Sequence, residues 1–197
     1  MNLPLPTPGL LIAFMFVCEG VLMRKRLSSD ASRAADRGSL RLLIGVIGAS
    51  VALAWLVGRS VPQARFDALF GLAATTMQAI RVAGLAVFVA GVGLRWYSMF
   101  YLGRLFTFDV AVAADHQVVD TGPYRLVRHP AYTGSLLSFV GLGVYAGNAL
   151  ALPVLLLPMA FAFARRIRVE EAALTSALGS RYADYAARTR RLVPFVY

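Results

Sequence analysis

Residues 122–134, Gly-Pro-Tyr-Arg-Leu-Val-Arg-His-Pro-Ala-Tyr-Thr-Gly, gather two guanidiniums, an imidazole and two phenols into one constrained string that runs into an apolar segment. Gly122 and Gly134 allow close backbone approach. Pro123 and Pro130 fix φ and push the residues before them into extended conformations. Arg125, Arg128, His129, Tyr124 and Tyr132 supply charge, donors and stacking faces. Such groups are costly beside lipid unless they face a cavity, so the string reads as a ligand site. The chain has two histidines, His116 and His129, and both flank the Gly-Pro-Tyr turn. No His-x-x-x-His spacing supports a metal, and no Gly-x-Ser-x-Gly elbow supports a serine hydrolase. Gly91-Val-Gly93 falls inside an apolar helical run, which excludes a dinucleotide fingerprint.

A second polar cluster stands near the C-terminus. Arg166 and Glu170 are four apart and share a helical face, whereas Glu171 is turned about 100° away. Arg168 is the expected partner of Glu171 at i,i+3. Together with the stacking tyrosines and the imidazole, one acid and one arginine suit a polar, zwitterionic, aromatic cofactor. Tyr182 and Tyr185 are expected to pack the tail against the bundle, making it a lid on the pocket.

Positioning these groups falls to a very apolar chain. Of 197 residues 58% are hydrophobic and 15% charged, with a mean hydropathy of +0.65, which excludes an ordinary soluble domain. Apolar runs near the roughly 20 residues needed to cross a bilayer occur at 8–23, 40–58, 77–98, 131–147 and 149–164. They predict five transmembrane helices, the last two joined by a turn at Gly147-Asn148. The first run follows prolines, without a positive charge before it or a small-residue cleavage pattern after it, so it reads as a retained helix. Lys and Arg number six in 24–41, four in 95–128 and seven in 165–197, which leaves only Arg59, Arg65 and Arg81 of the 20 elsewhere. With five spans those basic segments fall on one side, which the positive-inside rule makes cytoplasmic. The formal charge of +10 therefore encodes topology and contact with anionic headgroups, not nucleic-acid binding.

The remaining features read more plainly. Residues 24–39 form a polar cytoplasmic loop, and 59–75 an outer connection with a short interfacial helix around Phe66 to Leu72. Gly84, Gly91 and Gly93 permit close helix contact. Arg95, Trp96 and Tyr97 mark an interfacial belt. Residues 100–121 alternate over Phe106–Val112, which suggests an extended or re-entrant wall of the site. Cys18 reads as a small buried apolar residue. Glu19 reads either as a functional intramembrane carboxylate or as a snorkelling group paired with Arg24.

The run from Leu102 to Gly134 resembles the core of the isoprenylcysteine carboxyl methyltransferase family. So does the tail, Arg166-Ile-Arg-Val-Glu170-Glu171 followed by Leu174, Gly179, Tyr182, Tyr185, Thr189, Arg191 and Pro194. Phospholipid N-methyltransferases share the Arg-His-Pro-x-Tyr-x-Gly and Glu-Glu parts. The apolar runs predict an all-α integral membrane protein of one domain over 1–197, with three N-terminal transmembrane helices within 1–98. The resemblance covers roughly 100–197, where it implies a cofactor-binding half, 99–197, with a helical hairpin, a cytoplasmic C-terminal helix and a re-entrant or extended loop. It implies S-adenosylmethionine held by His116, Gln117, Val118, Val119, Gly122, Tyr124, His129, Pro130, Ala131, Tyr132 and Glu170, with Arg166 assigned to the substrate and no metal. A methyltransferase in an inner (plasma) membrane is expected, N-terminus outside and active site cytoplasmic. Its acceptor would be a prenylated cysteine carboxylate or similar amphiphile arriving from the bilayer. The alternatives are a phospholipid amine N-methyltransferase and a non-catalytic lipid-binding protein. The first 95 residues are expected to shape acceptor choice.

Overall fold

A computed structural model describes residues 5–25, 36, 38–108 and 117–194. The described residues form helices α1 (Pro8–Lys25), α2 (Ser39–Ser60), α3 (Phe66–Phe70), α4 (Ala74–Leu102), α5 (Pro130–Ala146), α6 (Ala151–Leu178) and α7 (Ser180–Arg188). No β-strand occurs among them; two isolated bridges pair Arg65 with Asn148 and Val127 with Arg190.

The apolar runs expected at 8–23, 40–58, 77–98, 131–147 and 149–164 correspond to α1, α2, α4, α5 and the first part of α6. By length and composition, two segments can cross a membrane, Ser39–Ser60 and Ala74–Leu105. The fifth run does not end before the polar cluster: α6 continues unbroken through Arg166 and Glu170 to Leu178, with Pro158 inside it. The expected interfacial helix around Phe66–Leu72 is the single turn and a half of α3, closed by Gly71. Asn148 joins α5 to α6. Its Oδ1 accepts from the backbone N–H groups of Leu150 and Ala151 at 3.1 and 3.0 Å, capping α6, while Nδ2 donates to Val61 O at 3.1 Å.

α4 and α5 run antiparallel in close contact because glycines face each other at seven-residue intervals. A Cβ added at Gly84 would sit 2.6 Å from Tyr145 N, and one at Gly134 would sit 2.5 Å from Arg95 N. Additions at Gly91 and Gly141 would collide with the backbones at Ser138 and Phe88. Small residues are the means by which membrane helices bring backbones into van der Waals contact. Gly93, expected to join Gly84 and Gly91 in this role, faces open space. Around the pair, Phe88, Phe139, Leu142, Leu155, Met159 and Phe163 form the main core.

Candidate functional site

The Gly-Pro-Tyr string is a short 3₁₀ turn, Gly122–Arg125, followed by a short link into α5. The residues before the two prolines are not extended as expected, Gly122 having φ +55° and His129 φ −125° with ψ 58°, because the turn and the tight entry into α5 fix them. Gly122 adopts φ +55°, and the Tyr101 ring lies where its Cβ would stand, so only glycine fits there. Pro130 opens α5 at its first position, where its missing N–H costs nothing. His129 precedes it and is buried, its ring stacked on Tyr132 with centroids 5.6 Å apart.

Residues 190–192 fasten this link from outside. Arg128 N donates to Arg190 O at 2.7 Å, His129 N to Arg191 O at 3.0 Å and Thr133 Oγ1 to Leu192 O at 2.7 Å. The Arg128 guanidinium donates to the carbonyl oxygens of Ala186 and Thr189, and Tyr185 Oη donates to Tyr124 O at 2.8 Å. Six long-range hydrogen bonds thus bind the tail to the motif.

A polar pocket opens between these parts. Its walls include Gln117, Val118, Val119, Tyr124, His129, Ala131, Tyr132 and Glu170, which are eight of the residues expected to hold the cofactor. His116 lies outside the described residues. Gly122 and Pro130 shape the turn and the helix start without lining the pocket. Arg128, Tyr182 and Tyr185, and the wall from Leu102 to Thr107, line it as well. The expectation of a pocket wall from 100–121 holds over these residues and 117–119; residues 109–116 are outside the described set. Tyr182 and Tyr185 were expected only to pack, and a pattern of tyrosines on a tail helix gives no means to tell packing from lining.

The two glutamates divide sharply. Glu171 is not paired with Arg168, whose Nε instead donates to Ala164 O at 3.4 Å. Its carboxylate accepts from Arg128 Nε at 2.8 Å and Arg191 Nε at 2.9 Å, and His129 Nε2 lies 3.2 Å away. The expectation of a local i,i+3 pair fails because two guanidiniums and an imidazole from the motif and tail converge on this oxygen pair. Burial alone would raise the Glu171 carboxyl, but the bonds from His129, Arg191 and Arg128 outweigh it and hold it at about 2. Glu170, one residue earlier, faces the pocket and accepts a hydrogen bond from Tyr132 Oη at 2.8 Å. Burial, reinforced by neighbouring acids, raises the phenols of Tyr124 and Tyr182, and burial lifts Tyr185 to about 12, so all three remain neutral donors. Tyr124 Oη donates to Ser98 O at 3.2 Å, whereas Tyr182 Oη is buried without a partner among the described residues.

Arg166 does not line this pocket. It borders an adjoining apolar cavity of about 240 Å³, walled by α1, α2, α4, α5 and α6, with Phe106, Thr107 and Tyr132 common to both spaces. Arg166 is 2% exposed, and its donors are engaged by Asp36, Ser39 Oγ at 2.5 Å, Phe108 O and Tyr132 Oη at 3.2 Å. Tyr132 thus bridges Arg166 in one cavity to Glu170 in the other. Asp36 was not singled out, because one acid in a loop of mixed charge carries no signal of a partner 130 residues away.

Arg95 also borders the apolar cavity, so it is no mere belt residue. It grips Glu19 with bonds of 2.7 and 2.6 Å and donates to Ser135 Oγ at 2.9 Å. The expected pairing of Glu19 with Arg24 is therefore wrong: Glu19 turns into the bundle, where a buried guanidinium holds it more firmly than a surface one could.

Comparison with known proteins agrees with this arrangement. A "Probable protein-S-isoprenylcysteine O-methyltransferase" of Oryza sativa subsp. indica is 31% identical over 119 residues, 59% of this chain and 62% of the relative. The cobalt-zinc-cadmium resistance protein CzcN of Cupriavidus metallidurans is 34% identical over 110 residues, 56% of this chain and 46% of the relative. The solved structure of a eukaryotic intramembrane Ras methyltransferase, isoprenylcysteine carboxyl methyltransferase, aligns with a TM-score of 0.62 at 27% identity over 76% of this chain and 52% of its own. The chain spans about half to three-fifths of the length of these relatives. The model of the isoprenylcysteine carboxyl methyltransferase family matches residues 83–176, just under half the chain, from the glycine seam of α4 to the glutamates of α6. Through these residues the chain is similar to the isoprenylcysteine carboxyl methyltransferase family.

Proposed function

We propose that the protein is a one-domain membrane methyltransferase that takes its methyl group from S-adenosylmethionine and passes it to the carboxylate of a prenylated cysteine or a similar lipid-like acceptor. The observation that carries this reading is the meeting of two unlike cavities at Tyr132: one polar and aromatic, the other apolar and walled by membrane-type helices. A charged donor and a lipid acceptor need such spaces side by side. The family match over residues 83–176 and the names of the relatives support the reaction class.

The polar pocket suits the donor on three counts. Glu170 presents a carboxylate for an ammonium group. His129 and Tyr132 offer stacked ring faces, and the buried, unpartnered Tyr182 hydroxyl offers a donor or acceptor. The cofactor, when bound, supplies a methyl group already activated on a sulfonium. The residues expected to hold it are His116, Gln117, Val118, Val119, Tyr124, His129, Ala131, Tyr132 and Glu170, with Gly122 and Pro130 shaping the backbone beneath.

On the acceptor side, a carboxylate is an anion at neutral pH and needs no base to become a nucleophile. Positioning is the main demand. Arg166 meets it by exchanging its resident counter-ion Asp36 for the acceptor carboxylate, while Tyr132 keeps the guanidinium in register with Glu170. The five apolar runs serve as membrane spans, with the N-terminus outside and the pocket on the cytoplasmic side of a plasma-type membrane. Arg and Lys crowd that end of the bundle.

Labelled cofactor offered with N-acetyl-S-farnesylcysteine and with phosphatidylethanolamine tests the reaction. Base-labile label in the first supports ester formation, and label only in the second overturns it in favour of amine methylation. Absence of S-adenosylmethionine binding by calorimetry on the purified protein would sink both enzymatic readings.

A further inference from the structure

Three arginines stand apart from the basic segments of this chain: Arg59, Arg65 and Arg81. They belong to different elements, the end of α2, the link after it and the first part of α4. In the fold they converge on one cavity of about 220 Å³ at the end of the bundle opposite the Gly-Pro-Tyr pocket. Its lining comes from the start of α1, the end of α2, the end of α5 and the start of α6, whereas the motif pocket is built from the other ends of α4, α5 and α6. The three arginines lie outside residues 83–176, so nothing in the family match accounts for them.

The cavity is cationic and largely apolar at once. Asp67 answers Arg65, with bonds of 3.1 and 2.8 Å, and it is the one acid between residues 37 and 108. Arg59 and Arg81 add two further positive charges, Arg59 with its guanidinium 5.0 Å above the exposed Trp55 ring. Arg81 is the informative one. Its Nε is buried and has no hydrogen-bond partner among the described residues. A buried donor left unsatisfied is costly and rare, and one aimed at a cationic cavity asks for an anion. Beside the arginines, Ile12, Leu142 and Leu155 give the same space an apolar wall that a small hydrated ion cannot use.

We propose that this cavity is a binding site for the headgroup of an anionic phospholipid, distinct from the methyl-transfer site and on the opposite leaflet. The phosphate oxygens accept from Arg81 and Arg59, and the first methylenes of the acyl chains lie on the apolar wall. Guanidinium forks match phosphate geometry, and Trp beside Arg is the pairing that membrane interfaces favour. The inference does not depend on the methyltransferase reading.

Native mass spectrometry of the purified full chain in detergent, titrated with phosphatidylglycerol and separately with phosphatidylcholine, tests it. The wild type should retain phosphatidylglycerol about thirtyfold better, the margin of two basic residues acting on one anionic headgroup. Arg81→Gln should bring the two lipids to within about fivefold of each other. Arg59→Gln, on an exposed side chain, should narrow the gap partly, and it carries the test if Arg81→Gln fails to fold. Arg188→Gln, at the other end, should leave the preference unchanged. Equal retention of both lipids by the wild type, or a preference that survives both cavity variants, overturns the proposal. Displacement of phosphatidylglycerol by millimolar inorganic phosphate would make this a free-anion site and overturn the lipid occupant.

Discussion

The seam between α4 and α5 and the placement of α1 represent two ways of building a wall. In the seam, Gly84, Gly91, Gly134 and Gly141 bring backbone against backbone, so a methyl group at any of them meets main-chain atoms that cannot turn aside. α1 lies on the outside of the bundle. Leu10, Phe14, Phe16, Val17 and Val21 are exposed, and Gly20 faces open space. Leu11, Ile12 and Met15 pack its inner face on the core, and its polar hold is Glu19, clamped by Arg95 from the seam itself. The contrast teaches that the α4–α5 pair is fixed by shape, whereas the polar attachment of α1 is one of charge.

The largest test of that contrast is Gly134→Val. Forcing a branched side chain into the seam should cost about 3 kcal/mol and abolish cofactor binding, read from thermal unfolding and calorimetry on the same preparation. If Gly134→Val is no worse than Gly20→Val on α1, the seam is not the rigid part. Next comes Glu19→Gln, which leaves the guanidinium of Arg95 without its counter-charge at a site only 15% exposed. It should cost roughly 2 kcal/mol of stability and loosen α1, seen as faster hydrogen exchange there with cofactor affinity retained. Unchanged exchange in α1 would remove the tether from the account.

Smaller effects sharpen the comparison on the side of the motif. Glu171→Gln should cost about 1.5 kcal/mol by weakening its hold on Arg128 and Arg191, while Glu170→Gln should spare stability and weaken S-adenosylmethionine binding. Equal losses of binding in both variants would erase the division between the glutamates. The effect of Glu171 is also pH-dependent. Its folded pKa, about 2, lies below the ordinary 4.5, so its contribution is complete above pH 4.5 and disappears as pH falls toward 2. The melting-temperature gap between wild type and Glu171→Gln should close over that range, and a constant gap would count against the ion cluster. The smallest change is Gly20→Ala, expected within about 1 kcal/mol of wild type and favourable through helix propensity.

Much of this arrangement was legible in the sequence. Apolar runs mark the helices because lipid and helix length leave a strong, local imprint, and the Gly-Pro-Tyr and His-Pro-x-Tyr spacings mark the pocket because backbone constraints are local too. The pairing of charges was not legible. Arg168 and Arg24 were the nearest partners along the chain for Glu171 and Glu19, but Arg128, Arg191 and Arg95 won, since burial strengthens a pair and sequence distance does not weaken it. For the same reason Arg166 could be placed beside Glu170 on one helical face, yet not recognised as belonging to a different cavity. Arg59, Arg65 and Arg81 were visible only as exceptions to the charge pattern until the fold brought them together.

The fastening of residues 190–192 over the motif has a consequence for how the protein is made. Those residues leave the ribosome after α1 to α6, yet they supply the carbonyls that hold Arg128, His129 and Thr133 in place. Translation order therefore makes the docking of residues 190–192 later than the synthesis of the helices and of the motif they hold.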